Sequence, residues 1–248
     1  MPAVEVVTFS DTIPDARVVL GPLSGNGPQP VSLRVREVTD QGFEFQVDEW
    51  DYLDGWHMEE TLSWMAVSAG THTLDDGRTI SAGRTTAESE DDQTVALTGF
   101  DGTPIVLTQV SSDNGNQAVV TRLGQAEDDS FTFRMQEEEA NDGWHVQETV
   151  DWVAIEGGTA GAVDAVTVAE VTDLGTTATI EEVDGELGVL AAMQTFNGNN
   201  TAGVRLLETG PGSVTLKIEE ETSLDDETFH LPEAVGLVTA ETGLHDLA

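Results

Sequence analysis

The sequence predicts an all-β fold built from three tandem antiparallel β-sandwich units. Three observations carry that prediction: apolar residues alternate with period two, turn dipeptides punctuate the chain, and one set of polar residues returns three times at fixed spacing. The alternation is clearest at Phe43, Phe45 and Val47, which would share one face while Glu44 and Gln46 take the other. It returns at Phe131, Phe133 and Met135, and again at Val214, Leu216 and Ile218. No helical periodicity competes with it, and abundant Thr, Val and Gly favour strands and turns. Turn signals include Asn26-Gly27, Asp54-Gly55, Asp76-Gly77, Asn114-Gly115, Asp142-Gly143, Asp184-Gly185 and Asn197-Gly198.

The repeat is found by laying the chain on itself. Four polar positions recur: Arg34, Arg122 and Arg205; Glu49, Glu137 and Glu220; His57, His145 and His230; Glu60, Glu148 and Glu233. Arg precedes the first Glu by fifteen residues, and His precedes the second Glu by three, in every copy. Chance does not hold four offsets across three segments. The copies are assigned to residues 1–88, 89–172 and 173–248, the third the most diverged. Each opens with a further strand pair, at 4–23, 94–110 and 177–196. Residues 72–80 form a hairpin pattern that runs into an acidic linker, and 163–171 is expected to fill the corresponding place after copy two.

Charge narrows the setting. Forty-seven Asp and Glu face nine Lys and Arg, a formal net charge of -38, and Lys217 is the single lysine. Such like charge opposes the compact state at low ionic strength. Molar salt shortens the Debye length to about 3 Å and relieves it. The reading is a protein of a halophilic system. A phosphate backbone would be repelled, so nucleic acid is not expected as a partner. No run of about 18 apolar residues exists, so membrane insertion is not expected either. The N-terminal MPAVEVVTFS lacks a basic segment followed by an apolar one and does not read as a secretory signal. There is no cysteine, hence no disulfide and no thiolate metal site. The expected location is extracellular or on a particle surface, in high salt.

The order of pieces resembles the H-type lectin domain, the six-stranded sandwich of certain agglutinins. In copy one the pieces are Ala16-Arg17-Val18-Val19-Leu20, Arg34, Gly42-Phe43, Trp50 and Ser63-Trp64-Met65-Ala66-Val67. In copy two they are Ile105-Val106-Leu107, Arg122, Ser130-Phe131 and Asp151-Trp152-Val153-Ala154-Ile155. Copy three keeps Val204-Arg205-Leu206 and has Leu237 in place of the late tryptophan. The resemblance implies a trimer-like assembly made within one chain, an intramolecular pseudo-trimer, with galactose-type sugars bound in clefts between units. Trp50 matches the family's binding-strand Trp, but Glu138 and Glu221 stand there in the other copies, and Asp51 replaces the residue that follows it.

The recurring Arg, Glu, His and Glu are read as a structural network that fixes each sandwich or packs the copies together. A ligand or metal pocket is the alternative. A histidine between carboxylates has its ring oriented and its protonated form favoured. The candidate glycan-binding residues are Trp50, Asp51, Trp56, Trp144 and Phe229, because an aromatic face stacks on the C–H face of a sugar. Runs such as Glu137-Glu138-Glu139, Glu219-Glu220-Glu221 and Asp48-Glu49-Trp50-Asp51 read as solvated acidic surface, and Ca²⁺ is the cation they would take. No cofactor and no catalytic residue is assigned: phosphate-loop, nucleophile-elbow and HExxH motifs are absent from the sequence. The expected function is a non-catalytic lectin-like adhesion protein that recognises a cell-surface glycan or glycoprotein. The alternative is a structural virion component, such as a capsid turret, decoration or tail-fibre protein, working through packing against other virion or surface proteins.

Overall fold

The computed structural model of the protein describes residues 4–245 and Leu247. It is all-β, with 18 strands in antiparallel sheets and no helix among the described residues. The first sandwich sets β1 (Glu5–Thr8), β3 (Val31–Thr39) and β4 (Gly42–Glu49), in the order β1-β4-β3, against a two-stranded sheet of β2 (Ala16–Leu20) and β5 (Trp64–Ser68). Residues 4–23 hold two strands as expected, β1 and β2, but they join opposite sheets and pair with β4 and β5 instead of with each other. Phe43 lies inside with Phe9, Val18 and Val35, and Phe45 packs against them. The β3–β4 register sets Val35 opposite Phe45. A slip of one residue would turn every one of these side chains to the other face.

The hairpin foreseen at 72–80 is β6 (Gly70–Thr73) and β7 (Thr79–Ala87), with His72 opposite Ile80. The far edge of β7 pairs with β12 (Glu148–Ile155), which in turn pairs with β9 (Ile105–Val110). Opposite this sheet lie β8 (Gln93–Ala96), β10 (Val120–Ala126) and β11 (Ser130–Gln136), in the order β10-β11-β8. Phe131, Phe133 and Met135 are buried between the two layers beside Val106, Val150 and Trp152. The third sandwich repeats the plan. Its sheets are β13 (Val163–Val171), β18 (Glu233–Glu241) and β15 (Leu187–Met193), and β14 (Thr176–Thr179), β17 (Ser213–Glu220) and β16 (Ala202–Gly210). Val214, Leu216 and Ile218 fill its core. The boundaries near residues 88 and 172 therefore fall just after β7 and β13, strands that hydrogen-bond into the sandwich that follows them.

The units touch through their β5, β12 and β18 sheets, which share one apolar cluster. Val19 and Val67 of the first, Ile105, Leu107, Val153 and Ile155 of the second, and Leu190 and Val238 of the third belong to it. Three backbone N–H groups cross between units in a fixed order. Val18 donates to Asp151 Oδ2 at 3.0 Å, Val106 to Gln194 Oε1 at 3.0 Å, and Val189 to Ser63 Oγ at 2.9 Å. Gly236 leaves room for this, since a Cβ there would lie 2.5 Å from Ile105 and 2.8 Å from the Gln194 amide.

Candidate functional site

Each recurring arginine sits one residue before a β-bulge, at Val35/Glu37, Leu123/Gln125 and Leu206/Glu208. A bulge bends its strand and re-aims neighbouring side chains. All three arginines are buried, at 1%, 0% and 2% exposure, and none turns back on its own unit's histidine. Arg34 donates to Asp113 and to the carbonyls of Gly115 and Gln117, and lies 3.5 Å from Glu148. Arg122 donates to the carbonyls of Asn200 and Gly198 and to Glu233 Oε1 at 3.1 Å. Arg205 donates to the Gly27 carbonyl and to Glu60 Oε1, both at 3.0 Å. The first unit thus reaches the second, the second the third, and the third the first.

The receiving histidine in each unit lies between its two recurrent glutamates. His145 places Nδ1 2.9 Å from Glu137 and Nε2 3.2 Å from Glu148. His230 places Nδ1 2.5 Å from Glu220 and Nε2 3.2 Å from Glu233. His57 is looser, 3.4 Å from Glu49 and 3.0 Å from Glu60. The second glutamate also accepts from an Asn-Gly turn beneath it. Glu148 receives Ser112 Oγ and the N–H groups of Asn114 and Gly115; Glu233 receives Thr195 Oγ1, Asn197 and Gly198; Glu60 receives Ser24 Oγ, Asn26 and Gly27. The glycines are required because the imidazole lies flat against them. A Cβ at Gly27, Gly115 or Gly198 would meet the ring of His57, His145 or His230 at 2.7, 2.5 or 2.6 Å.

Burial alone would favour the neutral form of each carboxylate. At Glu148 it is outweighed by hydrogen bonds from His145, Ser112, Gly115 and Asn114, which bring the pKa down to about 2. Glu60 and Glu233 are lowered the same way, against their own burial. Burial pulls His145 down, but its bonds to Glu148 and Glu137 outweigh that and raise it. Desolvation lowers Arg122 to about 10, against the pull of Glu233 and Glu220. Glu220 moves up, because burial exceeds the opposing bond from His230. The arrangement is a chain of charge-assisted bonds sealed between units: both oxygens of Glu60, Glu148 and Glu233 accept from protein donors, whereas Glu137 Oε2 and both oxygens of Glu49 are buried without a hydrogen-bond partner among the described residues.

The Ser/Thr and Asn-Gly members of this network were not expected from the sequence, where the dipeptides read only as turns. The signal was present: Gly27, Gly115 and Gly198 each precede the recurrent arginine by seven residues.

The residue before each histidine is an exposed aromatic: Trp56 at 67%, Trp144 at 57% and Phe229 at 61%. Their backbones are held by short turns, with N–H bonds to Asp54, Asp142 and Glu227 two residues back. Asp51 is also exposed. Trp50 is not: it is 3% exposed and lines a cavity of about 120 Å³ whose walls include Leu33, Val110 and Met193, one from each unit. Trp50 therefore offers no face to a ligand, and the sugar platform expected there is withdrawn.

The acidic runs also differ from the solvated surface expected of them. Glu137, Glu138, Glu220 and Glu221 are exposed by only 1%, 5%, 4% and 2%. They join units: Glu221 Oε1 accepts from the Glu139 N–H at 2.6 Å, and Glu139 Oε1 accepts from the Thr201 N–H at 3.2 Å. Burial raises Glu138 and Glu139, with further upward pushes from Asp51 and Glu221 respectively. Among the described residues no group of three or more His, Asp and Glu is placed to hold a metal ion. No helix of the described residues is long and apolar enough to cross a membrane.

Fold and site together define an all-β chain of successive sandwiches locked by buried ion pairs. No family model matches it, and no solved structure matches it. The sequence is similar to halomucin of Haloquadratum walsbyi, at 30% identity over 216 residues that cover 82% of this chain and 2% of halomucin. The chain thus spans about one-fiftieth of the length of that relative.

Proposed function

We propose that this protein is a non-catalytic, lectin-like adhesion module of a halophilic system, three sandwiches closed around a pseudo-three-fold axis and recognising carbohydrate at a cell surface. The observation that carries the reading is the repeated loop, in which an exposed Trp56, Trp144 or Phe229 stands beside a histidine that is locked in the interior. A rigid aromatic with exposed carboxylates nearby suits the alternation of C–H faces and hydroxyls on a sugar. The closed arrangement is supported by the cyclic order of the arginine contacts, which returns from Arg205 to Glu60. The resemblance to H-type lectin sequences supports the same reading. The similarity to a protein named halomucin supports the halophilic, surface-borne setting, as does the net charge of -38. The non-catalytic part of the proposal rests on Glu60, Glu148 and Glu233, whose oxygens are taken up by histidine, arginine, hydroxyl and backbone donors.

The test is glycan binding by array and calorimetry in 2–3 M KCl, of the order at which the Debye length is about 3 Å or less. Binding should be lost in the Trp56→Ala, Trp144→Ala, Phe229→Ala triple variant while its melting temperature stays unchanged. Binding that survives that change, or that no glycan shows, overturns the reading.

A further inference from the structure

The three sandwiches are not equally complete. In the second, β12 is covered on both edges, by β9 and by β7; in the third, β18 is covered by β15 and by β13. In the first, β5 pairs with β2 alone among the described strands. Along its other edge the Ser68 carbonyl accepts from His72 Nε2 at 2.9 Å, and the groups of Trp64 and Ala66 meet no neighbouring strand among the described residues. Val18, opposite Ala66, sends its N–H away to Asp151, while Gly21 and Ala69 bond Ser63 and Asp15 across the pair. Ser63, Met65, Val67 and Ala69 therefore face β2, and Trp64 and Ala66 present their N–H and C=O groups outward.

Side chains record the same vacancy of cover. Trp152 is 8% exposed and Leu237 0%, because Gly83 of β7 and Val166 of β13 lie opposite them. Trp64, at the equivalent place, is 41% exposed. The fit at Gly83 is close: a Cβ there would come within 2.3 Å of the Trp152 ring. Beside Trp64 runs a groove of about 590 Å³ lined by Phe9, Ile13, Met65, Leu187 and Leu190. Its apolar floor is what a sixth strand would cover, and an uncovered edge of this kind is a template for strand addition.

We propose that β5 is an acceptor site for an extended strand of this same sandwich repeat, the counterpart of β7 and β13, lent from outside the described residues. The occupant runs antiparallel to β5, as β7 and β13 run to β12 and β18, and sets a glycine opposite Trp64. Units two and three each take such a strand from the stretch of chain before them, so lending is already the rule of this architecture. A second copy of this chain fits less well, since its β7 and β13 are engaged and no strand follows β18 among the described residues.

The test uses the full chain and a synthetic peptide of residues 77–88, which carries the β7 strand, in molar KCl. The peptide should bind one to one, shift Trp64 emission to the blue and raise the melting temperature. The peptide with valine in place of Gly83 should bind at least about tenfold more weakly, from the clash with the indole. Ala66→Pro in the protein removes one outward N–H while leaving the β2 bonds intact, and should weaken the peptide at least about tenfold without unfolding the chain. Equal binding of a scrambled peptide of the same composition, or of the valine peptide, overturns the proposal. So does a protein dimer that forms unaided, dissociates on Ala66→Pro and ignores the peptide, because the occupant would then be a second copy.

Discussion

Arg122→Met removes the most enclosed of the inter-unit ties and tests whether these charges hold the units together. The arginine is 0% exposed and donates to the carbonyls of Gly198 and Asn200 and to Glu233. Breaking one partner of a buried ion pair costs about 3–5 kcal/mol. Glu233 keeps its donors from His230, Thr195, Asn197 and Gly198, which places the loss on that carboxylate at the lower end. Two carbonyls left without partners add about 1 kcal/mol each. Methionine packed where the guanidinium lies over the Phe196 ring returns part of this. The expected net loss is about 3–4 kcal/mol, or roughly 6–16 °C in melting temperature for a chain of this size. The assay is a calorimetric melt in 2 M KCl, where the loss of one positive charge from an acidic surface is screened. Lys217→Gln serves as the comparison, since Lys217 pairs with Glu219 at 2.9 Å while remaining 28% exposed. It should cost less than about 1 kcal/mol. Equal shifts for the two variants, or a loss below about 1 kcal/mol for Arg122→Met, would refute the inter-unit role.

Further expectations follow from the same network. His57→Ala should lower the melting temperature more than it weakens any glycan, and an unchanged melting curve would count against a structural role for the histidines. Gly115→Ala should destabilise the chain by about 1–3 kcal/mol, because the new methyl meets an imidazole held on both sides. Glu148, with its folded pKa near 2 against an ordinary 4.5, contributes stability that is present above pH 4.5 and lost as pH falls through 2. The gap in stability between the wild type and Glu148→Gln, about 3 kcal/mol at neutral pH from that shift, should therefore close between pH 4.5 and 2 in acid denaturation curves. His145, raised, acts in the opposite window: its share is full below pH 6.5 and is lost as pH rises through its folded value. The melting temperature should climb as KCl is raised from 0.1 to 2 M, and a flat response would separate the acidic surface from any salt requirement.

Much of the fold was legible because period-two alternation reports burial directly. Phe131, Phe133 and Met135 read as one face and are one face. The 72–80 hairpin was legible from its Asp76-Gly77 turn, but the partners of β7 and of the opening strands, which join opposite sheets, were not. Strand pairing across 60 or more residues leaves no local trace, and β7 carries the same alternation whichever sheet it joins. The network was visible as residues but not as connections. The fifteen-residue step from Arg122 to Glu137 suggests a pair within one copy, whereas Arg122 reaches Glu233, 111 residues on. A repeat conceals this, because the neighbour's copy of each partner has the same spacing as the local one. Trp50 misled for a different reason. It matches the binding-strand Trp of the H-type lectin resemblance, and a match in sequence does not show that residues from three units surround it.

A chain of net charge -38 has few cations to deploy, and all nine are within ion pairs. Three of them are committed to the interior between units rather than spread over the surface. In the salt that relieves the surface repulsion, exposed pairs are screened to little effect, while buried pairs keep their interaction. Electrostatic specificity in such a medium must therefore be carried inside. Apolar contacts alone would serve stability about as well. They would not fix how one sandwich is turned against the next. The guanidinium planes do so by engaging two carbonyls and a carboxylate at once, as Arg122 does with Gly198, Asn200 and Glu233. The exposed aromatics sit one residue from the histidines of those same clusters, so the geometry of the ties is also the geometry in which the three loops are presented.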